Sequence, residues 1–218
     1  DHLADTDFGP FAQWAGSNEI ARLSVGNEII CQHQAPQMTF GRVKVSPPPR
    51  AFTQATSAGE RALQAAVERA LAGADRVVDL FSGAGTLGLP LADRATLHCF
   101  ENDAGLLEAL AHGVRHTQGI KSVTTSTRDL FRNPVDHTDL KPFNAAIIDP
   151  PRAGAEQQVG QLAQSDLRDI AMVSCNPVSF ARDAALLSNG GYLLKWIEVV
   201  DQFRWSPHIE IVAHFSKV

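Results

Sequence analysis

The sequence predicts an α/β protein in which helices cover both faces of a doubly wound, mostly parallel sheet. From residue 57 onward, short apolar runs typical of buried strands alternate with segments of helical periodicity. The last two apolar runs, 193–200 and 209–215, are joined by a connection too short for a helix, so we expect the last strand to run antiparallel. A chain of 218 residues with 44% hydrophobic residues is long enough to bury such a core.

Each predicted element has its own local signal. Ser57-Ala58-Gly59-Glu60 has the form of a capping box, and it precedes an amphipathic helix over 61–71 that ends at Gly73. A glycine loop and a helix are expected after the first strand, and another helix near 105–116. The predicted strands are 76–81, 96–101, 122–127, 145–148, 169–173, 193–200 and 209–215.

The first fifty residues are expected to form a small β-rich appendage packed on the main domain. They lack helical periodicity, and the alternation of charged and apolar residues over 42–45 is typical of a half-buried strand. Pro47-Pro48-Pro49 cannot donate to a sheet ladder, so we place a boundary there. The predicted division is an appendage over 1–50 and a main domain over 51–218.

Composition narrows the classes of function. A net charge of −5 argues against a general nucleic-acid binder, so any RNA contact must come from a local patch. Cys31, Cys99 and Cys175 are widely spaced and form no Cys-x-x-Cys pair, which argues against a disulfide framework and a cysteine-rich metal site. We expect no metal, no membrane span and no leader. The expected compartment is therefore reducing and cytoplasmic.

The loop Asp79–Gly88 predicts a cofactor site. Gly83 and Gly85 allow the backbone to approach a ligand, and Glu101 ends the next strand, where a carboxylate binds ribose hydroxyls. Gly83, Gly85 and Gly88 also fit the Gly-x-Gly-x-x-Gly spacing of dinucleotide-binding loops, so a nicotinamide cofactor stays open. A phosphate-binding loop is excluded because no Gly-Lys-Ser/Thr follows. Asp79, the acidic residue ahead of the glycines, suits a cofactor with a positive charge and no phosphate, and this favours S-adenosylmethionine.

Cys175 is a candidate reactive thiol. It follows the apolar run 169–173 and precedes Asn176-Pro177, which stops the strand before a helical segment. This position is the carboxyl end of a strand, where open α/β sheets bind their ligands. From position alone the alternative interpretation, a small buried hydrophobe, stays open.

Five short stretches, taken together, resemble the S-adenosylmethionine-dependent RNA uracil-5-methyltransferases, the family that makes 5-methyluridine in transfer and ribosomal RNA. The Ser-Cys-Asn-Pro and His-x-Glu segments are the most specific, whereas the glycine loop is shared by many methyltransferases. The resemblance covers roughly residues 40–218 and implies a Rossmann-like class I methyltransferase domain. The stretches are Phe52-Thr53-Gln54, Asp79–Gly85, Asp149–Gly154, Ser174–Pro177 with Ala181-Arg182-Asp183, and His208-Ile209-Glu210.

The resemblance implies a role for each matching residue. Cys175 is the nucleophile that adds to carbon 6 of uracil, and Glu210 is the general base that removes the proton from carbon 5. Asp149 holds the uracil edge or supports methyl transfer. Without the family, Glu210 would be taken for an exposed carboxylate at a strand end. The implied cofactor-binding residues are Gln54, Asp79, Phe81, Gly83, Gly85, Glu101 and Asp149, with Asp129 added by its position; the implied substrate-binding residues are Phe52, Arg152 and His208.

The expected partner is RNA with an unpaired or flipped-out uridine, in ribosomal RNA ahead of transfer RNA. Because Arg152 follows the two prolines where amine methyltransferases tend to carry an aromatic residue, amine methylation is disfavoured. Two alternatives stay open: a methyltransferase of this fold with another substrate, and a non-catalytic RNA- or cofactor-binding fragment. The residues expected around the cleft are Arg42, Lys44, Arg50, Arg152, Arg182 and Arg204, with Phe203 or Trp205 to stack on a base.

Overall fold

The computed structural model describes residues 5–26, 28–203 and 205–217, so Arg204 lies outside the described residues. Within them, no helix is long and apolar enough to cross a membrane. The helices are α1 Asp5–Ser17, α2 Ser57–Ala70, α3 Ala104–Arg115, α4 Glu156–Gln164 and α5 Pro177–Asn189, with a 3₁₀ segment at Leu89–Asp93. The strands are β1 Arg22–Val25, β2 Glu28–Gln32, β3 Met38–Phe40, β4 Val43–Val45, β5 Arg76–Leu80, β6 Thr96–Glu101, β7 Val123–Thr127, β8 Ala145–Ile148, β9 Asp169–Ser174, β10 Leu193–Val200 and β11 Glu210–Ser216.

The main sheet of the described chain has seven strands in the order β10-β11-β9-β8-β5-β6-β7. Strands β5 to β9 pair in parallel, whereas β11 pairs antiparallel with both β9 and β10. The predicted fold class, a mostly parallel doubly wound sheet with an antiparallel last strand, is confirmed. From β5 the chain winds outward through β6 and β7, then returns to β8 on the other side. Such a reversal is where open α/β sheets bind ligands.

The central strands are apolar at successive positions because both faces of the sheet are covered. In β5, Val77 packs in one core cluster and Val78 in the other, and Ala145 and Ala146 of β8 are divided in the same way. Helices α2 and α3 cover the first face, and α4 and α5 cover the second. The buried helical residues include Leu63, Val67, Leu107 and Leu110 on the first face and Val159, Leu162, Phe180 and Leu187 on the second.

The described part of the first fifty residues, 5–26 and 28–50, contains two hairpins and a helix. β1 pairs antiparallel with β2, and β3 with β4, whose Val43 and Val45 are buried in the same core cluster as α3. The expectation that this part lacks a helix is wrong, since α1 spans Asp5–Ser17. Its apolar residues gather only weakly on one face and Pro10 lies inside it, so the sequence carries little helical signal. That residues 1–50 form a separate unit stays a prediction.

Helix α2 begins one residue away from the predicted cap. Thr56 is extended, and its Oγ1 accepts a hydrogen bond from the backbone amide of Gly59 at 2.9 Å. The capping box predicted from Ser57 to Glu60 is therefore wrong, because Ser57 is already the first helical residue. A threonine at this position satisfies an amide that the helix itself leaves without a partner.

The helix expected directly after the glycine loop is also wrong. Turns follow β5, and they lead into the short 3₁₀ segment Leu89–Asp93. Pro90 lacks an amide hydrogen, and β6 already begins at Thr96, so an α-helix has no room to propagate there. The glycine loop is consequently held by hydrogen bonds within its own turns and by hydrogen bonds to β6, and not by the first turn of an α-helix.

Replacing Gly113 with alanine should separate the hairpin β3–β4 from α3. A Cβ there would lie 3.0 Å from Val43 Cγ1 and 3.2 Å from the carbonyl carbon of Lys44. We expect Gly113→Ala to lower the free energy of unfolding by about 1–3 kcal/mol, as overpacking does. Gly160→Ala in α4 is the matched control, since a Cβ there meets no atom within 4 Å. Urea denaturation of both variants checks this, and stabilisation by both would contradict the close packing of the hairpin.

Candidate active site

The residues singled out from the sequence come together at one edge of the sheet. The parallel strands β5, β6, β7, β8 and β9 all end at this edge, and the antiparallel strand β11 begins there. Chain connectivity and strand direction therefore place chemically useful side chains from distant parts of the sequence side by side. The residues at or just beyond these strand ends are Asp79, Phe81, Glu101, Asp129, Asp149, Cys175 and Glu210.

Cys175 and Glu210 adjoin the last residue pair of the β9–β11 ladder. Ile211 of β11 pairs with Ser174 of β9 in antiparallel register; Glu210 precedes Ile211, and Cys175 lies in the bend that follows Ser174. The charge of Glu210 acts on the Cys175 thiol, so the two side chains are near each other. The Cys175 thiol is half-buried, whereas Glu210 is only 5% exposed.

The electrostatic field at this pair disfavours negative charge. Burial raises the pKa of the Cys175 thiol, and the carboxylates of Glu210 and Asp149 raise it further, while Arg152 opposes the rise. Burial also raises the pKa of Glu210, against a hydrogen bond from the side chain of Gln202. Asp149 follows β8, and burial together with Glu210 raises its pKa to about 7. The site therefore favours a protonated thiol and a carboxyl group that keeps its proton to a higher pH than a solvated aspartate does.

Asp79 is the most deeply buried carboxyl group at the edge. It is 1% exposed, and burial raises its pKa to about 8, with contributions from Asp149 and Glu101 and an opposing backbone hydrogen bond from Gly88. Its Oδ2 atom and the nearby Ser82 Oγ have no hydrogen-bond partner among the described residues. Buried polar atoms without partners are costly, so their clustering at a ligand-binding edge indicates a place for a ligand with hydrogen-bond donors.

The glycine loop leaves open space at Gly83. Gly83 has φ 54°, and a Cβ built on it meets no atom within 4 Å, so this backbone is free to be approached. Gly85, with φ 90°, serves packing instead, since a Cβ there would lie 2.6 Å from Leu89 Cδ1. Phe81 also has a positive φ of 62°. The unpartnered oxygen atoms of Asp79 and Ser82 and the open backbone at Gly83 fit the expected cofactor, S-adenosylmethionine.

Glu101 is oriented by three backbone amides. Its Oε2 accepts from Gly83 at 3.0 Å, and its Oε1 accepts from Asn102 at 2.7 Å and from Asp103 at 3.0 Å. The carboxylate thus ties the glycine loop to the end of β6. This is the position from which the sequence predicted contact with ribose hydroxyls, and that role stays a prediction.

Asp129 is already engaged within its own turn. Its Oδ1 accepts from the amides of Phe131 at 3.0 Å and Arg132 at 3.2 Å, and its Oδ2 lies 3.6 Å from Arg132 Nε. The carboxylate therefore shapes the loop after β7, and Phe131 packs with Phe81 at 5.3 Å between ring centroids. Contact of Asp129 with an adenine amino group stays a prediction.

The expected substrate-binding residues lie on exposed loops. Phe52 is 72% exposed, and Arg152 and His208 are also exposed. The His208 amide donates to Ser206 Oγ at 3.2 Å. Exposed side chains are able to contact a large ligand such as RNA. The substrate-binding roles of Phe52, Arg152 and His208 stay predictions.

Sequence interpretation missed Gln202. This residue follows β10 and is 8% exposed, and its Nε2 donates to Oε1 of Gln54 at 2.7 Å. The contact ties the connection ahead of α2, which carries Gln54, to the loop that follows β10. No sequence signal marks Gln202, because its significance comes from neighbours that are far away along the chain.

Sheet order and site position define the class of the protein as a Rossmann-like methyltransferase fold. A solved structure, the Pyrococcus abyssi tRNA (uracil-54, C5)-methyltransferase in complex with S-adenosyl-L-homocysteine, matches with a TM-score of 0.72 and 27% identity, over 85% of this chain and 45% of that one. A sequence model described as tRNA (Uracil-5-)-methyltransferase matches residues 117–218.

Curated relatives agree with this assignment. An uncharacterized RNA methyltransferase of Brucella suis is 47% identical over 91% of this chain and 48% of its own length. The 23S rRNA (uracil(1939)-C(5))-methyltransferase RlmD of Shewanella halifaxensis is 31% identical over 98% of this chain and 50% of its own. The chain spans about half the length of the curated relatives it matches. The chain is thus similar to RNA uracil-5-methyltransferases, and the resemblance drawn from the motifs is confirmed.

Replacing Asp79 with asparagine should flatten the pH dependence of stability. Because the folded chain raises the pKa of Asp79 to about 8, folding favours the protonated form. The stability from this group is present below the unfolded pKa of about 3.9 and is lost as the pH rises through the folded value. Between about pH 5 and pH 9 we expect the wild-type Tm to fall further than that of Asp79→Asn, by about 2–4 °C for each kcal/mol.

Calorimetry across this pH range checks the expectation. Asp139→Asn, at an exposed aspartate, is the control and should follow the wild-type curve. If Asp79→Asn also followed that curve, the protonation of Asp79 would not be linked to folding.

Proposed function

We propose that this chain is the catalytic part of an S-adenosylmethionine-dependent RNA uracil-5-methyltransferase that forms 5-methyluridine through a covalent Cys175 adduct. The observation that carries the proposal is the placement of Cys175 and Glu210 next to the same residue pair, Ser174 and Ile211, at the end of the β9–β11 ladder. A nucleophile and a general base at neighbouring positions are what this reaction requires, since they act on adjacent carbons of one ring. The family resemblance and the named relatives support the same substrate atom.

The cofactor site is proposed at the end of β5. Asp79 and Ser82 offer buried unpartnered oxygens to donor groups, Gly83 offers open backbone, and Glu101 is aimed by three amides at the position for ribose hydroxyls. Gln54, Phe81, Gly85, Asp129 and Asp149 complete the proposed cofactor-binding set. S-adenosylmethionine supplies the methyl group and brings a positive charge, which suits an edge rich in carboxyl groups.

Cys175 begins the proposed reaction. Its sulfur forms a bond to carbon 6 of the uracil, and the displaced electron pair makes carbon 5 nucleophilic. The thiol gives up its proton in this step to one of the two carboxylates whose charges act on it, Glu210 or Asp149. The raised pKa of Asp149 also suits the proposed hold on the uracil edge, because the O–H of its protonated form can donate to a ring carbonyl oxygen.

Glu210 completes the proposed reaction. After carbon 5 has received the methyl group, the carboxylate removes the remaining proton from that carbon. The released electron pair restores the double bond between carbons 5 and 6, and the sulfur of Cys175 leaves as thiolate. Burial at 5% exposure raises the pKa of Glu210 and so makes its carboxylate a stronger base than a solvated one.

RNA recognition is proposed at the exposed margin of the edge. Phe52, Arg152 and His208 are accessible there, and Trp205 is fully exposed, as a side chain that stacks on an unpaired base must be. Reaching carbons 5 and 6 requires the uridine to leave its stack. Ribosomal RNA is proposed ahead of transfer RNA on the relative named for 23S rRNA, although the matching family description names tRNA. A cytoplasmic location is proposed with it, in keeping with three unpaired cysteines.

RNA carrying 5-fluorouridine should form a covalent adduct with the chain. Fluorine cannot leave carbon 5 as a proton does, so the reaction stops with sulfur bound to carbon 6. We expect mass spectrometry to find protein joined to RNA through Cys175 when S-adenosylmethionine is present. Cys175→Ala should abolish the adduct, and Cys31→Ala should retain it. Adduct formation by the Cys175→Ala variant would contradict the assigned nucleophile, and 23S rRNA and tRNA fragments compared in this assay would separate the two RNA classes.

Replacing Glu210 with glutamine should trap the reaction on ordinary uridine. Without the base, methyl transfer still proceeds but the adduct is released slowly, so we expect turnover to fall by about 10²–10⁴-fold. The measurement is the fraction of chain bound covalently to methylated RNA in a denaturing gel. Loss of adduct formation, instead of accumulation, would show that Glu210 acts before methyl transfer.

A further inference from the structure

The backbone carbonyl of Arg152 is fixed by the segment that follows Cys175. Its oxygen accepts a hydrogen bond from Asn176 Nδ2 at 2.9 Å and another from Ser179 Oγ at 3.1 Å. The Ser179 hydroxyl has a single hydrogen and also lies 3.2 Å from the carbonyl oxygen of Asn176, so Asn176 is the donor dedicated to this carbonyl. The Arg152 side chain is exposed. It is therefore free to contact a ligand while its backbone stays fixed.

This carbonyl belongs to a tight turn in the loop that begins at Asp149. The amide of Gly154 donates to the carbonyl oxygen of Pro151 at 2.8 Å, and Gly154 has φ 76°. A Cβ on Gly154 would lie 2.5 Å from Asp183 Oδ2, and the amide of Ala155 donates to the same oxygen at 2.8 Å. The turn therefore packs directly on α5.

Asn176 joins this turn to the bend that carries Cys175. Its Oδ1 accepts from the amide of Val178 at 3.0 Å, which caps α5, while its Nδ2 donates to Arg152. Only one orientation of the amide satisfies both contacts. The bend is closed by Ser174, whose Oγ lies 3.2 Å from both the amide nitrogen and the carbonyl oxygen of Asn176. One side chain, adjacent to Cys175 in the chain, thus fixes the helix start and the turn together.

Resting on the proposed function, we infer that Asn176 is a positioning residue for the attack of Cys175 on uracil. The proposed uracil and RNA contacts, Asp149 and Arg152, lie on the fixed loop, and the sulfur lies on the bend. Asn176 therefore sets the geometry between the groups that bind the ring and the group that attacks it. Capping alone does not require the amide nitrogen, since serine and aspartate begin helices equally well.

The step that depends on this geometry is the formation of the adduct. The thiol proton passes to a carboxylate, Glu210 or Asp149, and the sulfur bonds to carbon 6. The electron pair of the double bond between carbons 5 and 6 moves onto carbon 5 and the neighbouring carbonyl group. The sulfur and the ring must approach within a narrow range of distance and angle, so a loosened loop slows this step even when RNA stays bound.

Asn176→Ser tests the inference in the 218-residue chain, since serine keeps a capping oxygen but has no amide nitrogen to donate to Arg152. With S-adenosylmethionine and saturating 5-fluorouridine RNA, we expect the rate constant for adduct formation to fall by about 10–100-fold. The RNA concentration that gives half of the maximal rate should change by less than about 3-fold. Asn144→Ser is the matched control and should keep the wild-type rate. The Asn144 amide also accepts from a backbone amide, that of Arg76 at 3.2 Å, and donates to Asp75 at 2.6 Å, but at the opposite edge of the sheet.

Amide hydrogen exchange supplies a readout that needs no turnover. The Gly154 and Ala155 amides should exchange about 3–10-fold faster in Asn176→Ser and at the wild-type rate in Asn144→Ser. An unchanged adduct rate in the folded Asn176→Ser variant, or a fall matched by an equal loss of RNA affinity, would overturn the positioning role. If the wild type forms no adduct, the proposed reaction fails and exchange alone decides: faster exchange supports the fixing of the loop by Asn176, and unchanged exchange overturns it. Asn176→Thr repeats each measurement if the serine variant does not fold.

Discussion

The antiparallel pairing of β11 with β9 is the constraint on which the candidate site depends. Parallel strands bring their carboxyl ends to one edge of a sheet, and a strand that starts at this edge must run in the opposite direction. Because β11 enters between β9 and β10 in this way, Glu210 begins its strand near Cys175, which follows the end of the neighbouring one. A parallel last strand would begin at the far edge, with its first residue a whole strand length away from the thiol.

Several buried carboxyl groups lie at this edge of the sheet, and burial raises the pKa of each. Asp149 raises the pKa of Asp79, and Glu210 raises that of Asp149, so each charge makes the next one harder to form. Such a cluster destabilises the fold as the pH rises, and it favours ligands that carry positive charge. The same burial thus accounts for a stability cost and for the proposed preference for a cationic cofactor.

The loop that carries Asp149 is fastened to the helix that comes after Cys175. This explains in physical terms why the Ala181-Arg182-Asp183 stretch accompanies the more obvious motifs, since Asp183 is 1% exposed and serves the loop and not the reaction. The hydrogen bonds therefore fix the loop that carries Asp149 relative to the segment that carries Cys175. The bonds are Asn176 Nδ2 to Arg152 O at 2.9 Å, Ser179 Oγ to Arg152 O at 3.1 Å, an Arg182 guanidinium nitrogen to Ala153 O at 3.1 Å, and Ala155 N to Asp183 Oδ2 at 2.8 Å.

The sequence by itself determined the fold class and most strand positions, because apolar runs and their spacing record which segments are buried. Its motifs also determined the family resemblance. Local signals were weaker: α1 has little periodicity, and the 3₁₀ segment at Leu89–Asp93 depends on the space left before β6. Only the tertiary structure decided that Gln202 meets Gln54, 148 positions away along the chain. Hydrogen bonds between distant loops leave no periodic trace, so they emerge only when the sheet brings those loops to one edge.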